Sequence, residues 1–443
     1  MNNKGTQALF KSDVEAIKSI FKKDLSVSVA TTDIDGVKRL DLPLDAVLPP
    51  MVDLPYDRAD QLIRKVGGNR TDLRYKRYAS SFLLYMLLQI LLTVCSIFFV
   101  KLGLKALYRR AVVDCVRHSD LVVSHSDENF KETASLLPLN PVWVITWWSM
   151  LISRTCEILV AKSFGKPVVM FPNSVGPFRT WMGRFLARLS LNHCDCVLIR
   201  DSISYAIVKR LGIKASKILT YDTALLYTPQ SMKVGNDFPR PTLAVSPGIY
   251  SRSLSQMEVD NYIQAHARAL DAAIEKHGFF VVFLPHYVSG FPYDDLEVSE
   301  LILHNMKNKH RVQIVNTAAV EEFKRCLDQV DMIISSKMHP AVLGASGYVP
   351  LLCILYDHKQ TSFFERLGMI DCTLGIRMVS PQNLSSKIDY VWNRNDQLRA
   401  LLRKQIPNWQ KNTSDAIRNA VTYHVEAKAD QRLIQVFPTE VKP

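Results

Sequence analysis

Lys337 and His339 stand two residues apart in Ser335-Ser-Lys-Met-His-Pro-Ala-Val-Leu-Gly344, and Tyr356-Asp-His-Lys359 follows the next apolar run. Met332-Ile-Ile334 reads as a strand, Ser335 to Met338 as its exit, and His339 to Gly347 as a helix of small residues that packs closely on a sheet. His339 then lies at or beside a helix N-terminus, where backbone N–H groups and the macrodipole favour an anion. Leu351-Leu-Cys-Ile-Leu355 is the next strand, and Lys359 occupies its exit. Two adjacent strand exits therefore bring Lys337, His339 and Lys359 to one place. That grouping suits a small dianion such as a phosphate ester, with a histidine able to move a proton.

Ligands of open parallel sheets gather beyond the carboxyl ends of the strands, so polar residues just after other apolar runs are the next candidates. Asn173 and Ser174 follow Pro167-Val-Val-Met-Phe171 in the turn Pro172-Asn-Ser-Val-Gly-Pro-Phe178; they can hydrogen-bond a ligand, or simply close a tight loop. Arg200 ends Val197-Leu-Ile199, ahead of Asp201 or Ser202, either of which can cap the helix that follows. An arginine fork there suits a carboxylate or a phosphate, the alternative being a surface salt bridge. Asp222 is a weaker case of the same kind. Arg252 lies in Ser246-Pro-Gly-Ile-Tyr-Ser-Arg-Ser253, after Leu243-Ala-Val245, and His286 follows Phe279 to Leu284 with Asp294 and Asp295 close behind.

The elements that must position these residues alternate. Leu121-Val-Val-Ser124, Trp143-Val-Ile-Thr-Trp-Trp148, Pro167 to Phe171, Val197 to Arg200 and Ile218 to Asp222 read as strands of a first half. Leu243 to Ser246, Phe279 to Leu284, Val312 to Val315, Met332 to Ser335 and Leu351 to Leu355 repeat the scheme. Short apolar runs separated by helix-length amphipathic segments predict an α/β protein with parallel sheets in both halves. At 443 residues the chain exceeds what one core usually supports. The polar connector near Val234 to Pro241 places domains at 1–236 and 237–380, with a helical segment over 381–443 packing back across both. Lys4-Gly-Thr-Gln-Ala-Leu9 opens a helical pattern with no strand before it.

Lys and Arg number 55 against 42 Asp and Glu, a formal charge of +13, which favours phosphorylated ligands, nucleic acid or an anionic membrane surface. The basic residues are dispersed without interleaved aromatic motifs, so no nucleic-acid partner is expected. Eight cysteines are scattered, and Cys194 and Cys196 lack the second pair of a zinc site, so neither a metal nor disulfides are expected and a reducing cytoplasm is. Polar residues directly after Met1 argue against a signal peptide.

Tyr78 to Val100 is the longest uncharged run, and at about 1.5 Å per residue it has the length to cross a bilayer. Arg74, Lys76 and Arg77 precede it, and Lys101, Lys105, Arg109 and Arg110 follow, so charge gives no orientation. A span would separate residues 1–77 from the rest of their domain. The expectation is therefore a helix lying in the cytoplasmic face of the membrane with its cations against anionic headgroups, a buried core helix being the competing reading.

The ordered motifs resemble the polysaccharide pyruvyl transferase family. The resemblance runs through Lys4-Gly-Thr-Gln-Ala-Leu, Gly165-Lys-Pro-Val-Val, Ser174-Val-Gly-Pro-Phe, Arg200-Asp-Ser-Ile-Ser, Leu211-Gly-Ile, Asp222, Pro285-His286, Asp294-Asp295, Lys337-Met-His339, Gly347-Tyr-Val-Pro350, Tyr356-Asp-His-Lys359 and Leu367-Gly368. It implies two Rossmann-like domains facing a central cleft, a glycosyltransferase-B-like architecture, with the acceptor on the N-terminal side and the donor on the C-terminal side. It implies transfer of the enolpyruvyl carbons of phosphoenolpyruvate to a free or lipid-linked sugar of an envelope polysaccharide, forming a cyclic ketal with no cofactor or metal.

By that resemblance His339 matches the histidine of an Arg-x-His motif that binds the donor and acts as general acid, and Arg200, Arg252 and Lys359 become donor-binding cations by position, with His286, Lys337, Asn173 and Ser174 completing the substrate-binding set. Lys337 stands where the family usually has arginine, and His125 and Ser126 where a glycine-rich turn is common. A sugar-nucleotide glycosyltransferase on the same scaffold is the rival enzyme reading; a catalytically silent membrane-associated component of polysaccharide assembly is the rival outside catalysis.

Overall fold

A computed structural model describes residues 3–21, 25–52, 73–104, 111–128, 130–132, 141–229, 238–249, 254–288, 290 and 292–429. The chain divides into two compact units, the first formed by Met1–Asp13 with Tyr221–Asp415 and the second by Val14–Thr220 with Ala416–Pro443. Residues 230–237, which hold most of the expected connector, and Arg252 lie outside the described residues.

The strands in chain order are β1 (Ser28–Ala30), β2 (Ala46–Leu48), β3 (Val122–Ser124), β4 (Val168–Asn173), β5 (Cys196–Ile199) and β6 (Ser216–Leu219). They continue with β7 (Thr242–Ser246), β8 (Phe280–Phe283), β9 (Val312–Ile314), β10 (Met332–Ser335), β11 (Leu351–Leu355) and β12 (Thr373–Gly375). The first unit holds a six-stranded sheet in the order β12-β11-β10-β7-β8-β9, and the second holds a four-stranded sheet β3-β4-β5-β6 and the pair β1-β2. Among the described residues every pairing between these strands is parallel. The parallel α/β architecture expected from the apolar runs is thus present in both units.

Parallel strands covered on both faces are apolar along their whole length. Leu243, Ala244 and Val245 of β7, Val281 to Phe283 of β8 and Met332 to Ile334 of β10 are all inaccessible to solvent. Helix Met338–Ser346 follows β10 and packs closely because Gly344 leaves room: a Cβ there would sit 2.4 Å from Ile333 Cδ1. Helix Gln256–His277 is stopped by Gly278 at φ 70°, and helix Pro381–Trp392 packs on it, with Asp389 meeting His277 Nε2 at 2.6 Å and Lys276 Nζ at 2.7 Å.

Two expectations change. Trp143 to Trp148, read as a strand, belongs to the 23-residue helix Pro141–Ser163. Its aromatic and β-branched residues favour strands locally, but the apolar pattern runs on through Met150, Leu151, Ile152, Ile158 and Val160 without a turn, and length decides for helix. Strand β6 ends at Leu219 rather than Asp222, because Asp222 accepts from Ala224 N and caps a 3₁₀ turn over Thr223–Leu226.

The run Tyr78 to Val100 lies in one helix, Leu73–Lys101, of the second unit. Over its described side chains it buries Val100 but turns several other apolar residues outward. Thr93 and Ser96 are buried, their hydroxyls satisfied by the carbonyls of Met51, Gln89 and Leu92, whereas Leu84, Leu91 and Phe98 are 70%, 58% and 59% exposed. Among the described residues no helix is long and apolar enough to cross a membrane.

Candidate active site

In the six-stranded sheet the chain moves outward from β7 through β8 and β9, then returns to the other side of β7 with β10, β11 and β12. The order reverses between β7 and β10, and the crevice beyond the carboxyl ends of two such strands is where this class of sheet binds ligands. Four of the residues singled out from sequence collect there. Lys337 leaves β10, His339 opens the helix that follows, His286 leaves β8, and Lys359 sits in the first turn of helix His358–Arg366 after β11.

Each is held by specific neighbours. The Lys337 stem crosses the exit of β7, where a Cβ on Gly248 would lie 2.6 Å from Lys337 Cε. Its ammonium meets Asp295 Oδ1 at 2.6 Å and lies 5.3 Å from the Tyr287 ring centroid. Asp295, the first residue of helix Asp295–Asn305, also accepts from the backbone N–H groups of His286 at 3.1 Å and Tyr287 at 2.8 Å. Burial pushes its carboxyl above the ordinary aspartate value, and Lys337 opposes that shift. Lys359 is buried at a helix start capped by Asp357. Beside it, Gln360 donates to Ser336 O and Ile354 O and accepts from Tyr356 N and Asp357 N, which fixes the exits of β10 and β11 together.

Sequence reasoning placed Lys4-Gly5 among the motifs but not among the site residues. Asn3 bridges Tyr287, Lys4 N donates to His286 O at 3.4 Å, and Gly5 N donates to His286 Nε2 at 2.8 Å. The helix starting at Lys4 therefore opens on the exit of β8. Gly5 is needed there, because a Cβ would lie 2.2 Å from His339 Nδ1. Only residue type, not distance along the chain, could have hinted at this: 281 positions separate Gly5 from His286.

The two histidines stack at 6.0 Å between centroids, 21° apart in plane, yet differ in role. His286 Nε2 accepts the Gly5 proton, so Nδ1 carries the ring's own proton. Burial, reinforced by the positive charges of Lys337, His339, Lys4 and Lys359, holds the His286 pKa well below the ordinary histidine value, so this ring is neutral at physiological pH. His286 Nδ1 and the buried hydroxyl of Ser246, at the end of β7, have no hydrogen-bond partner among the described residues.

Asn173, Ser174 and Arg200 form a separate group in the second unit, at the exits of β4 and β5. A shift in the β4–β5 register between Met170 and Asn173 turns the end of β4. Arg200 is buried, its Nε donating to Ser174 Oγ at 2.8 Å, and Ser174 Oγ donates in turn to Asp201 Oδ2 at 2.8 Å. Asp201 caps helix Ser202–Arg210 through Ser204 N at 2.7 Å. Asn173 Nδ2 donates to His125 O and Phe171 O, while its buried Oδ1 has no partner among the described residues. Among those residues no group of His, Cys, Asp or Glu is placed to hold a metal ion.

Residues 16–358 match the model of the polysaccharide pyruvyl transferase family, a span that contains every site residue named from sequence except Lys359. The amylovoran biosynthesis protein AmsJ of Erwinia amylovora is 22% identical over 270 residues, 56% of this chain and 62% of that protein; the match thus spans less than two thirds of that relative. In fold, the chain resembles S. aureus MnaA, solved with UDP, at TM-score 0.58 and 12% identity over 96% of this chain and 95% of the other. It also resembles the Neisseria meningitidis UDP-GlcNAc 2-epimerase bound to UDP-GlcNAc, at TM-score 0.57 and 10% identity over 95% and 98%. At those identities the likeness speaks for the architecture alone. With the match to the family extending over most of its length, this chain belongs to the polysaccharide pyruvyl transferases.

Proposed function

We propose that the protein transfers the pyruvyl group of phosphoenolpyruvate to a saccharide of an envelope polysaccharide or its lipid-linked precursor, closing a ketal across two hydroxyls. The observation that carries this reading is the concentration of Lys4, Lys337, Lys359 and two histidines at the reversal point of the first unit's sheet, in a chain of this family. A trianionic donor is the kind of molecule such a cluster attracts.

His339 is the general acid. It protonates the donor's methylene carbon, making it a methyl group and leaving positive charge on the adjacent carbon. One sugar hydroxyl attacks that carbon; the carbon–oxygen bond to phosphate then breaks, and the second hydroxyl closes the ring. Of the two hydroxyl protons, one restores His339 and the other leaves with inorganic phosphate. The lysines and Arg252 answer the donor's carboxylate and phosphate, and His286, neutral and tied to Gly5, orients the donor. Asn173, Ser174 and Arg200, on the acceptor side, bind the saccharide: Asn173 Oδ1 accepts from a sugar hydroxyl, and Ser174 holds the Arg200 fork in place.

The exposed leucines and Phe98 of helix Leu73–Lys101, flanked by basic residues, suit the surface of an anionic membrane at its cytoplasmic face, which would bring a lipid-linked acceptor within reach. The fold likeness to enzymes solved with UDP and UDP-GlcNAc favours one second reading, a sugar-nucleotide-dependent transferase. Ligand-induced thermal stabilisation separates the two. Phosphoenolpyruvate raises the melting temperature under the first reading, and a UDP-sugar does so in its place under the second.

A further inference from the structure

The first helix contributes a cation, Lys4, from a motif of the family resemblance that lies ahead of residue 16, where the match to the family model begins. Lys4 is 3% exposed, and its ammonium makes no hydrogen bond and no ion pair among the described residues. Burial holds its pKa below the ordinary lysine value; Asp295 and, more weakly, Asp294 work against that, and Lys337 adds to it. Asp295 is already engaged by Lys337 at 2.6 Å, and Asp294 accepts from the backbone of Gly290, Leu296 and Glu297, so both carboxylates that favour the Lys4 charge are committed to other groups. A buried ammonium in that condition is destabilising, and an apolar side chain of the same length would be tolerated better.

The position of Lys4 is not a loose end. Gln7 Oε1 accepts from Val320 N at 2.9 Å, Lys11 forms an ion pair with Glu321, and Ala8 and Leu9 are inaccessible parts of the first unit's core. With Gly5 bound to His286, these contacts fix the opening turns of the helix against the end of the sheet. Lys4 belongs to the group of cations that act together on the His286 ring. Asp295 offsets Lys337 within that group, which leaves Lys4 the better placed of the two to meet an incoming anion.

We infer that Lys4 is a ligand for the anionic donor, contacting its phosphate or its carboxylate from the N-terminal helix. This rests on the donor reading above and extends the donor-binding set beyond the site residues named from the sequence.

The test compares the full-length protein with Lys4→Met and Lys4→Arg, measuring melting temperature against titrations of phosphoenolpyruvate, inorganic phosphate and pyruvate. Loss of a charge-assisted contact predicts that Lys4→Met weakens phosphoenolpyruvate binding by about 10- to 100-fold, while its unliganded melting temperature stays level or rises. Lys4→Arg retains most of the affinity. Phosphate or pyruvate, whichever loses its effect in Lys4→Met, identifies the donor group that Lys4 meets. Wild-type affinity in Lys4→Met overturns the inference, as does a lower unliganded melting temperature with binding intact, the mark of a structural lysine.

If phosphoenolpyruvate does not stabilise the wild type, the donor reading fails by itself; Lys4 then stands as an anion ligand if phosphate stabilises wild type and not Lys4→Met, and falls if phosphate stabilises neither. Should Lys4→Met not fold, amine acylation of the wild type read by mass spectrometry decides. Phosphoenolpyruvate or phosphate protects Lys4 if it is a ligand, and equal labelling with and without them overturns the inference.

Discussion

The ammonium of Lys337 and the buried carboxylate of Asp295 meet at 2.6 Å, and that pair joins the exit of β10 to the start of helix Asp295–Asn305. Asp295 also accepts two backbone N–H groups, so its charge is answered from three directions. Removing one member of a buried pair leaves the other uncompensated, which destabilises proteins by about 3–5 kcal/mol. Asp295→Asn is expected to lose stability on that scale in urea unfolding. Lys337→Met loses less, because the Lys337 side chain retains some exposure. The double variant recovers part of the combined loss, and the coupling is read from the double-mutant cycle.

Gly5→Ala places a methyl group 2.2 Å from His339 Nδ1. The ring must rotate or the helix start must shift, an overpacking strain of about 1–3 kcal/mol. The expected result is a fall in kcat larger than any rise in the phosphoenolpyruvate KM, because the displaced group is the proposed acid. Steady-state kinetics on a folded variant check it.

His266 is fully buried; its Nδ1 donates to Tyr262 O at 2.8 Å, and burial lowers its pKa from 6.5 to about 4. The unfolded chain therefore binds a proton between those values that the folded chain refuses. The contribution is fully present above about pH 6.5 and is lost as pH falls toward 4, by about 3 kcal/mol in total. His286 acts in the same direction. Unfolding free energy measured from pH 7 to pH 5 should decline, and His266→Phe should flatten part of that decline; a pH-independent wild type would refute the assignment.

Arg200 lies in the second unit, bound to Ser174. Arg200→Met is expected to raise the KM for the saccharide by about tenfold or more while leaving phosphoenolpyruvate stabilisation nearly unchanged. Equal loss of both would move Arg200 to the donor.

Vesicle binding tests the exposed apolar residues of helix Leu73–Lys101. Leu91→Asn combined with Phe98→Asn removes two exposed apolar side chains and should lower partition onto phosphatidylglycerol-containing vesicles by tenfold or more. High salt should weaken wild-type binding through the flanking cations. Unchanged partition would exclude this helix as the contact.

Much of the first unit was legible in the sequence because its strands are buried on both faces, and buried parallel strands such as Leu351 to Leu355 write themselves as uninterrupted apolar runs. Polar residues just beyond those runs then marked Lys337, His339, His286 and Lys359. Trp143 to Trp148 misled because a short aromatic run carries strand propensity whether or not the apolar pattern continues past it. The roles of Lys4 and Asp295 were invisible for a different reason. They depend on contacts between separate elements, Asp295 with Lys337 and the turn at Lys4 and Gly5 with His286, which no local pattern encodes.

The most direct measurement is the transfer reaction run in D₂O with phosphoenolpyruvate and a panel of free and lipid-linked saccharides, the product weighed by mass spectrometry. The account predicts a pyruvate ketal carrying one solvent deuteron in its new methyl group, made by the wild type and slower by about 10²- to 10⁴-fold in His339→Gln. A ketal formed by His339→Gln at the wild-type rate, or a glycosyl product formed only from a nucleotide sugar, would contradict it.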